Sequence, residues 1–166
     1  MTVRRIGVIS DTHGLLRPQA LAALAGSELI VHAGDIGTAA NGPGILARLG
    51  AIAPVVAVRG NNDRGAWADA LPEVDTVALG AHRLLVLHDL KALAGDPAAE
   101  GVAAVIAGHS HRPAVDRRGP VLYLNPGSAG PRRFRLPVSV ATIETVAGRL
   151  QARIIGLDPE AGQMLP

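Results

Sequence analysis

Five apolar runs of this chain each stop on a residue able to hold a metal ion, and nothing else in the sequence constrains the fold as tightly. Arg5 to Ser10 reads as a strand and halts at Asp11-Thr12-His13-Gly14. Glu28 to Ala33 halts at Gly34-Asp35, and Val55 to Val58 at Gly60-Asn61-Asn62-Asp63. Arg83 to Leu87 runs into His88-Asp89, and Ala103 to Ala107 into Gly108-His109-Ser110-His111-Arg112. In an extended or tightly turned segment alternate side chains share a side, so His109 and His111 project into one volume. Imidazole is the commonest protein metal ligand. An isolated His-x-His is as easily a pair of surface histidines beside a turn; five such endings in order are not. In a parallel sheet the strand ends lie on one edge, where donors distant in sequence converge.

The segments between these runs supply the rest of an α/β pattern. Pro18 to Leu24 carries a helix signal, with Pro in the first turn, an Ala/Leu body and Gly26 as the stop. Ile45 to Leu49 makes a short helix closed by Gly50. Strands alternating with short helices read as βαβ units. After Asp63 hairpins take over: Val74 to Leu79 with Arg83 to Leu87 around Gly80-Ala81-His82, Ala114 to Asp116 with Val121 to Leu124 around Gly119, and Val138 to Glu144 with Leu150 to Leu157 around Ala147-Gly148. Asp96-Pro97 opens a helical turn, Asn125-Pro126-Gly127-Ser128 makes a rigid corner, and the tail beyond Asp158 reads as frayed.

Composition narrows the classes. The 166 residues fit a single domain over 1–166, without repeat or linker, and with 48% hydrophobic but 2% aromatic residues the core must be aliphatic. There is no cysteine and no apolar run of membrane-spanning length, so no membrane partner is expected. The apolar run after Arg4 and Arg5, Ile6 to Ile9, is too short for a signal peptide, which makes a cytoplasmic protein the expectation. Trp67, Tyr123 and Phe134 are the only aromatics and the formal charge is +2, thin equipment for a nucleic-acid partner.

The strand ends offer seven donors: Asp11, His13, Asp35, Asn61, His88, His109 and His111. That is too many for one ion and suits two ions sharing a carboxylate, about 3.5–4 Å apart. The ordered series Asp-x-His, Gly-Asp, Gly-Asn-x-Asp, His, Gly-His-x-His resembles the calcineurin-like metallophosphoesterases. With Asp-Thr-His-Gly, Gly-His-Ser-His-Arg-Pro and Asn-Pro-Gly-Ser, the chain looks like their small bacterial and archaeal phosphodiesterase branch from Val3 to Leu157.

The resemblance implies a four-layer α/β/β/α sandwich with the metal site at the strand ends. It implies Asp11, His13 and His111 on a first ion, Asn61, His88 and His109 on a second, and Asp35 as the bridge. It also implies hydrolysis of a small-molecule phosphodiester by a water activated between two divalent transition-metal ions, Mn foremost, with Ni, Fe, Zn or Co as alternatives. Small members of the family assemble as dimers or tetramers, so a homo-oligomer is expected by analogy. A protein-binding scaffold like the retromer subunit and a nuclease are the competing readings of the same fold.

Two positions depart from the family. The position after Asn61, usually the His thought to protonate the leaving oxygen, is Asn62, whose amide can donate a hydrogen bond but cannot surrender a proton. Asp89 stands where Gly usually follows the metal-binding His; it either orients His88 or sits solvated. Asn62 and Asp63 are the expected catalytic residues, Asp63 as the one that orients the neighbouring loop. Arg132 is the expected substrate contact among Arg132, Arg133 and Arg135, since guanidinium forks match phosphate oxygens. His32 reads as a hydrogen-bonded core residue and His82 as solvent-facing in a turn. Ser128 lacks the Gly-x-Ser-x-Gly surroundings of a nucleophile.

Overall fold

A computed structural model describes residues 2–158. The elements are β1 (Arg5–Ile9), α1 (Pro18–Leu24), β2 (Leu29–His32), α2 (Gly42–Gly50), β3 (Val55–Ala57), α3 (Ala66–Asp69), β4 (Val74–Leu79) and β5 (His82–Leu87). A 3-10 turn (Leu90–Ala92), β6 (Val102–Ile106), β7 (Ala114–Arg118), β8 (Val121–Asn125), β9 (Ser139–Val146) and β10 (Arg149–Gly156) complete them. The expected tail beyond Asp158 lies outside the described residues.

The strands form two five-stranded sheets, β10-β9-β1-β2-β3 and β4-β5-β6-β8-β7. Each is mixed. β1, β2 and β3 run parallel in one, and β5, β6 and β8 in the other. Hairpins β4–β5, β7–β8 and β9–β10 supply the antiparallel edges. The inner faces share one aliphatic core, with Ile6, Val8, Val31 and Ile143 packed among Leu84, Val86, Ile106 and Leu124. Burying each such side chain stabilises the fold by ~1.5–3 kcal/mol, which is how so few aromatics suffice.

Alternation sends Ile9, Ile30 and Val140 to the outer face of the first sheet, against Leu24 of α1 and Leu49 of α2. On the outer face of the second sheet, Val105, Val121 and Tyr123 meet only Leu90 and Leu93 of the 3-10 turn and its continuation. The α/β/β/α order holds, but its last layer is thinned to that turn and loop. Gly95, Pro97 and Gly101 explain the thinning. The turn expected at Asp96-Pro97 closes three backbone bonds (Glu100 N–H to Asp96 O at 3.0 Å, Gly101 N–H to Ala98 O at 3.2 Å and Val102 N–H to Pro97 O at 2.8 Å) and stops at Gly101, whose φ is 72°.

The three hairpin turns lie at one end of the sandwich, and the C-terminal ends of β1, β2, β3, β5 and β6 lie at the other. His82 is the first residue of β5, and its Nε2 lies 3.1 Å from the Gly148 carbonyl. The turn position expected for it is therefore corrected, although it stays partly exposed: the two-residue turn is Gly80-Ala81, with Leu79 paired to His82. His82 also sits a full strand length, roughly 20 Å, from His88. No described helix is long and apolar enough to cross a membrane.

Candidate metal centre

The seven expected donors meet at the strand ends. Asp11 Oδ1 lies 3.3 Å from His111 Nε2 and 3.8 Å from His13 Nε2, and the two imidazole nitrogens are 3.3 Å apart. On the other side, Asn61 Oδ1 is 3.0 Å from His88 Nε2 and 3.1 Å from His109 Nδ1. Asp35 Oδ2 stands between the two groups, 3.7 Å from His13 and 3.4 Å from His88. Asp11, Asp35, His88 and His111 are buried, whereas Asn61 and His109 are exposed at the rim.

The loops that carry these donors are strained. Asp11, His13, Asp35, His109 and His111 all have φ between 45° and 67°, the left-handed region that side chains with a Cβ avoid. Such residues cost ~1–3 kcal/mol each unless the surroundings over-determine them. Here they do. Asp11 N–H donates to Gly34 O and His13 N–H to Asp35 O, both at 3.0 Å, tying the β1 loop to the β2 loop. Asp63, buried, accepts from Ile36 N–H (2.7 Å), Gly37 N–H (3.1 Å) and Gly60 N–H (2.8 Å), tying the β2 loop to the β3 loop. With both oxygens so engaged, Asp63 is a positioning residue that orients the neighbouring loop, as expected.

Close approach completes the fixing of the β6 loop. A Cβ on Gly108 would run into Ser10 Oγ and come within 2.7 Å of Asp11 Oδ2, so only glycine lets β6 deliver its histidines against β1. Asn125 holds the same loop by donating to Gly108 O at 2.9 Å and Ser110 Oγ at 3.0 Å, and Ser128 Oγ donates to Asp11 O at 2.9 Å. Ser128 is thus a buried support, not a nucleophile.

The electrostatics favour cations. His88 Nδ1 lies 2.7 Å from Ala33 O and donates there, which turns Nε2 into the cluster. That nitrogen faces Asn61 Oδ1 and Asp35 Oδ2 and lies 3.3 Å from His109 Nδ1. Asp11 Oδ2 is satisfied by Ser10 Oγ (2.6 Å) and His109 N–H (3.0 Å), but its buried Oδ1 has no hydrogen-bond partner. An orphaned carboxylate oxygen facing imidazoles fits a metal ligand and fits little else.

Burial pushes both carboxyls up, but it loses at each. His111 and Ser10 hold Asp11 below the ordinary carboxylate range, and His88 with the Asn62 amides does so at Asp35. At His88 burial works downward and is outweighed by Asp35 and the Ala33 carbonyl, which raise it. His13 is lowered, by burial first, with Arg133 and His111 adding to the effect against the pull of Asp35 and Asp11.

Beneath the cluster His32 is the core residue expected. Gly34 N–H donates to its Nδ1 (3.2 Å), so Nε2–H donates to Thr12 Oγ1 (3.0 Å), which donates to Ile36 O (2.7 Å). Full burial, with His88 and His13 nearby adding to it, lowers its pKa to about 3.

The remaining expectations are placed as follows. Asn62 is at the cluster, but its N–H and Nδ2 donate to the two oxygens of Asp35 at 2.9 and 2.8 Å. Asp89 does not orient His88, whose Nδ1 is taken; its Oδ1 caps the 3-10 turn at Lys91 N–H (3.0 Å), and its Oδ2 lies 3.8 Å from His109 Nε2. Arg132 is paired with Asp158, while the charge of the neighbouring Arg133 is felt at His13. Sequence reasoning missed Ser10 and Asn125. Ser10 is adjacent to Asp11 and so was within reach of a motif argument; Asn125 was seen only as part of a corner.

The calcineurin-like phosphoesterase superfamily domain matches residues 5–148. The chain belongs to this superfamily. A probable metallophosphoesterase of Methanothermobacter thermautotrophicus is 34% identical over 162 residues, covering 90% of this chain and 91% of the relative. Two solved structures share the superfamily's fold with this chain at lower identity. The E. coli phosphoesterase YfcE superposes with a TM-score of 0.71 at 24% identity, covering 98% of this chain and 97% of that one. Vps29 of Chaetomium thermophilum superposes with a TM-score of 0.76 at 22% identity, covering 98% and 94%. The superfamily is metal-dependent, and Asp11, His13, Asp35, His88 and His111 group here as candidate ligands.

Proposed function

We propose that this chain is a dinuclear metal-dependent phosphodiesterase acting on a small-molecule phosphodiester. The supporting observation is the convergence of two groups of metal-competent side chains on either side of Asp35, with the buried Asp11 Oδ1 left without a hydrogen-bond partner. Asp11, His13 and His111 would hold one ion, Asn61, His88 and His109 the other, and Asp35 both. Carboxylate, amide and imidazole donors without thiolate suit Mn first, then Fe, Ni, Co or Zn. Divalent ions bound there acidify a water and polarise the phosphoryl oxygens.

The protein's own part is to hold that array rigid. Asp35 stays anionic because His88 and the Asn62 amides stabilise its charge against the burial that opposes it. Arg133 places a positive charge on the approach to His13, which draws an anionic phosphate to the cluster. Cavities of about 520 and 580 Å³ open on either side of His88 and His109, with Asp89 in the wall of both. Two flanking cavities fit a phosphorus carrying two organic groups better than a monoester.

Asn62 fixes Asp35 and has no proton to give, so the leaving oxygen departs without a positioned acid from this residue. Aryl phosphodiesters, whose leaving groups need no proton, should turn over well in Mn-reconstituted protein and stop on chelation. Alkyl diesters should lag by as much as the ~10²–10⁴-fold that acid catalysis contributes. Asn62→His should narrow the aryl-to-alkyl ratio. Turnover that survives chelation would overturn the proposal, and an unchanged ratio in a folded, metal-loaded Asn62→His protein would overturn the leaving-group argument.

A further inference from the structure

The cavity of about 520 Å³ lies on the outer face of the second sheet, which the thinned last layer leaves open. Its floor is Val105, Ala107 and Tyr123, and along β6 that floor leads through Gly108 to His109, the exposed ligand of the second metal group. One end of the cavity is therefore at the metal centre. The other end is apolar and shaped by Arg118, whose guanidinium lies 4.3 Å from the centroid of the Tyr123 ring and is held at its edge by Asp116 Oδ2 (3.4 Å). A guanidinium stacked on a phenol ring is a flat, pre-formed surface. Lys91 and Arg112 stand on the walls, so cations outnumber the acidic Asp89 and Asp116 around the cavity. The volume falls within the ~300–1,000 Å³ of ligand pockets.

We propose that this cavity is the subsite for one ester group of the substrate and that the group it takes is a planar aromatic or heteroaromatic ring, as in an aryl or nucleoside ester. The proposal rests on the phosphodiesterase reading for the word substrate. Two things argue for this occupant. The floor is continuous with His109, so whatever fills the cavity is joined to a group at the metals. The excess cations and the flat Arg118–Tyr123 surface match an anion carrying a ring, where a short alkyl ester would leave the floor bare.

The test is a binding measurement on metal-reconstituted protein, with adenosine 5′-monophosphate and methyl phosphate as probes, followed by NMR at the Val105 methyls and the Tyr123 ring. The ring-bearing probe should shift both signals and bind about 10-fold tighter or more, the scale of one stacked base. Ala114→Trp, at an exposed position of β7 lining the cavity, fills it without touching a metal donor. It should erase that advantage, raise KM for aryl diesters and leave metal content and methyl phosphate affinity unchanged. Arg118→Leu should act in the same direction and serves if the tryptophan disturbs β7.

Equal affinity for the two probes, or a preference that survives both variants, would overturn the subsite. So would sedimentation showing a dimer that Ala114→Trp dissociates, since a second copy would then own this face. Failure of the parent reading looks different: the ring preference and its loss in Ala114→Trp would persist, with no phosphodiester turned over.

Discussion

The two ends of the sandwich are made of the same strands and solve the same problem, reversing the chain, by opposite means. At the hairpin end the left-handed positions are largely glycine: Gly80 (φ 60°), Gly119 (φ 59°) and Gly148 (φ 77°), with Ala147 (φ 49°) alone carrying a Cβ. At the metal end Gly14 (φ 84°) and Gly34 (φ 96°) are joined by five residues with side chains, Asp11, His13, Asp35, His109 and His111. The hairpin end puts in each turn a residue its backbone tolerates. The metal end accepts residues its backbone resists, and their side chains are the candidate ligands. Its glycines also serve close approach, as at Gly108, whereas the hairpin glycines Gly119 and Gly148 have nothing within 4 Å.

The largest effect that sharpens this contrast is expected at Gly108. Gly108→Ala forces a Cβ onto Ser10 and Asp11, which should cost ~1–3 kcal/mol of stability, the usual range for overpacking. It should also weaken metal binding, since Asp11 must move. Thermal melts and metal titration check both; wild-type affinity in Gly108→Ala would break the claim that close approach positions Asp11.

Acid should single out the metal end as well. His32 has a folded pKa of about 3 against an ordinary 6.5. Below 6.5 the unfolded chain takes a proton that the folded protein refuses, because protonating Nδ1 destroys its bond from Gly34 N–H. Stability from this residue is therefore full above 6.5 and is lost as pH falls toward 3, by at most about 1.4 kcal/mol per pH unit. Subtracting the pH–stability curve of His32→Gln from that of the wild type isolates the slope. A zero difference between pH 6 and 4 would contradict the neutral, bonded histidine.

The smallest effects compare the backbones directly. Gly148→Ala should cost about 1 kcal/mol, the price of a Cβ in left-handed backbone. In metal-free protein His13→Gly should be more stable than His13→Ala by a similar amount, the reverse of the usual order away from such positions. Denaturant titrations of the three variants decide it; alanine equal to glycine at 13 would mean that the site backbone is relaxed.

Much of this was legible in the sequence, for stated reasons. α1 falls at Pro18–Leu24 and β4 at Val74–Leu79, as expected, because Pro18, Gly26 and Gly80 mark their ends locally. The five strand stops were visible because apolar runs and metal donors differ sharply in chemistry. What was not legible depends on long-range geometry. Nothing near Asp35 says that its φ is positive or that Asn62 would donate to both its oxygens. Three arginines in one loop look alike until Asp158 engages Arg132 and Arg133 is left toward His13. The thinned outer layer depends on Gly95, Pro97 and Gly101 together, each of which alone reads as an ordinary turn residue.

The central claim is that the strained loops exist to bring seven donors onto two cations with Asp35 between them. Elemental analysis of Mn-reconstituted protein after exhaustive desalting, on wild type and on Asp35→Ala, tests it most directly. The account predicts two ions per chain in the wild type and fewer than two in Asp35→Ala, with activity lost by more than the ~10–100-fold typical of residues behind a ligand. One ion per chain in the wild type, or a fully loaded and active Asp35→Ala, would contradict it.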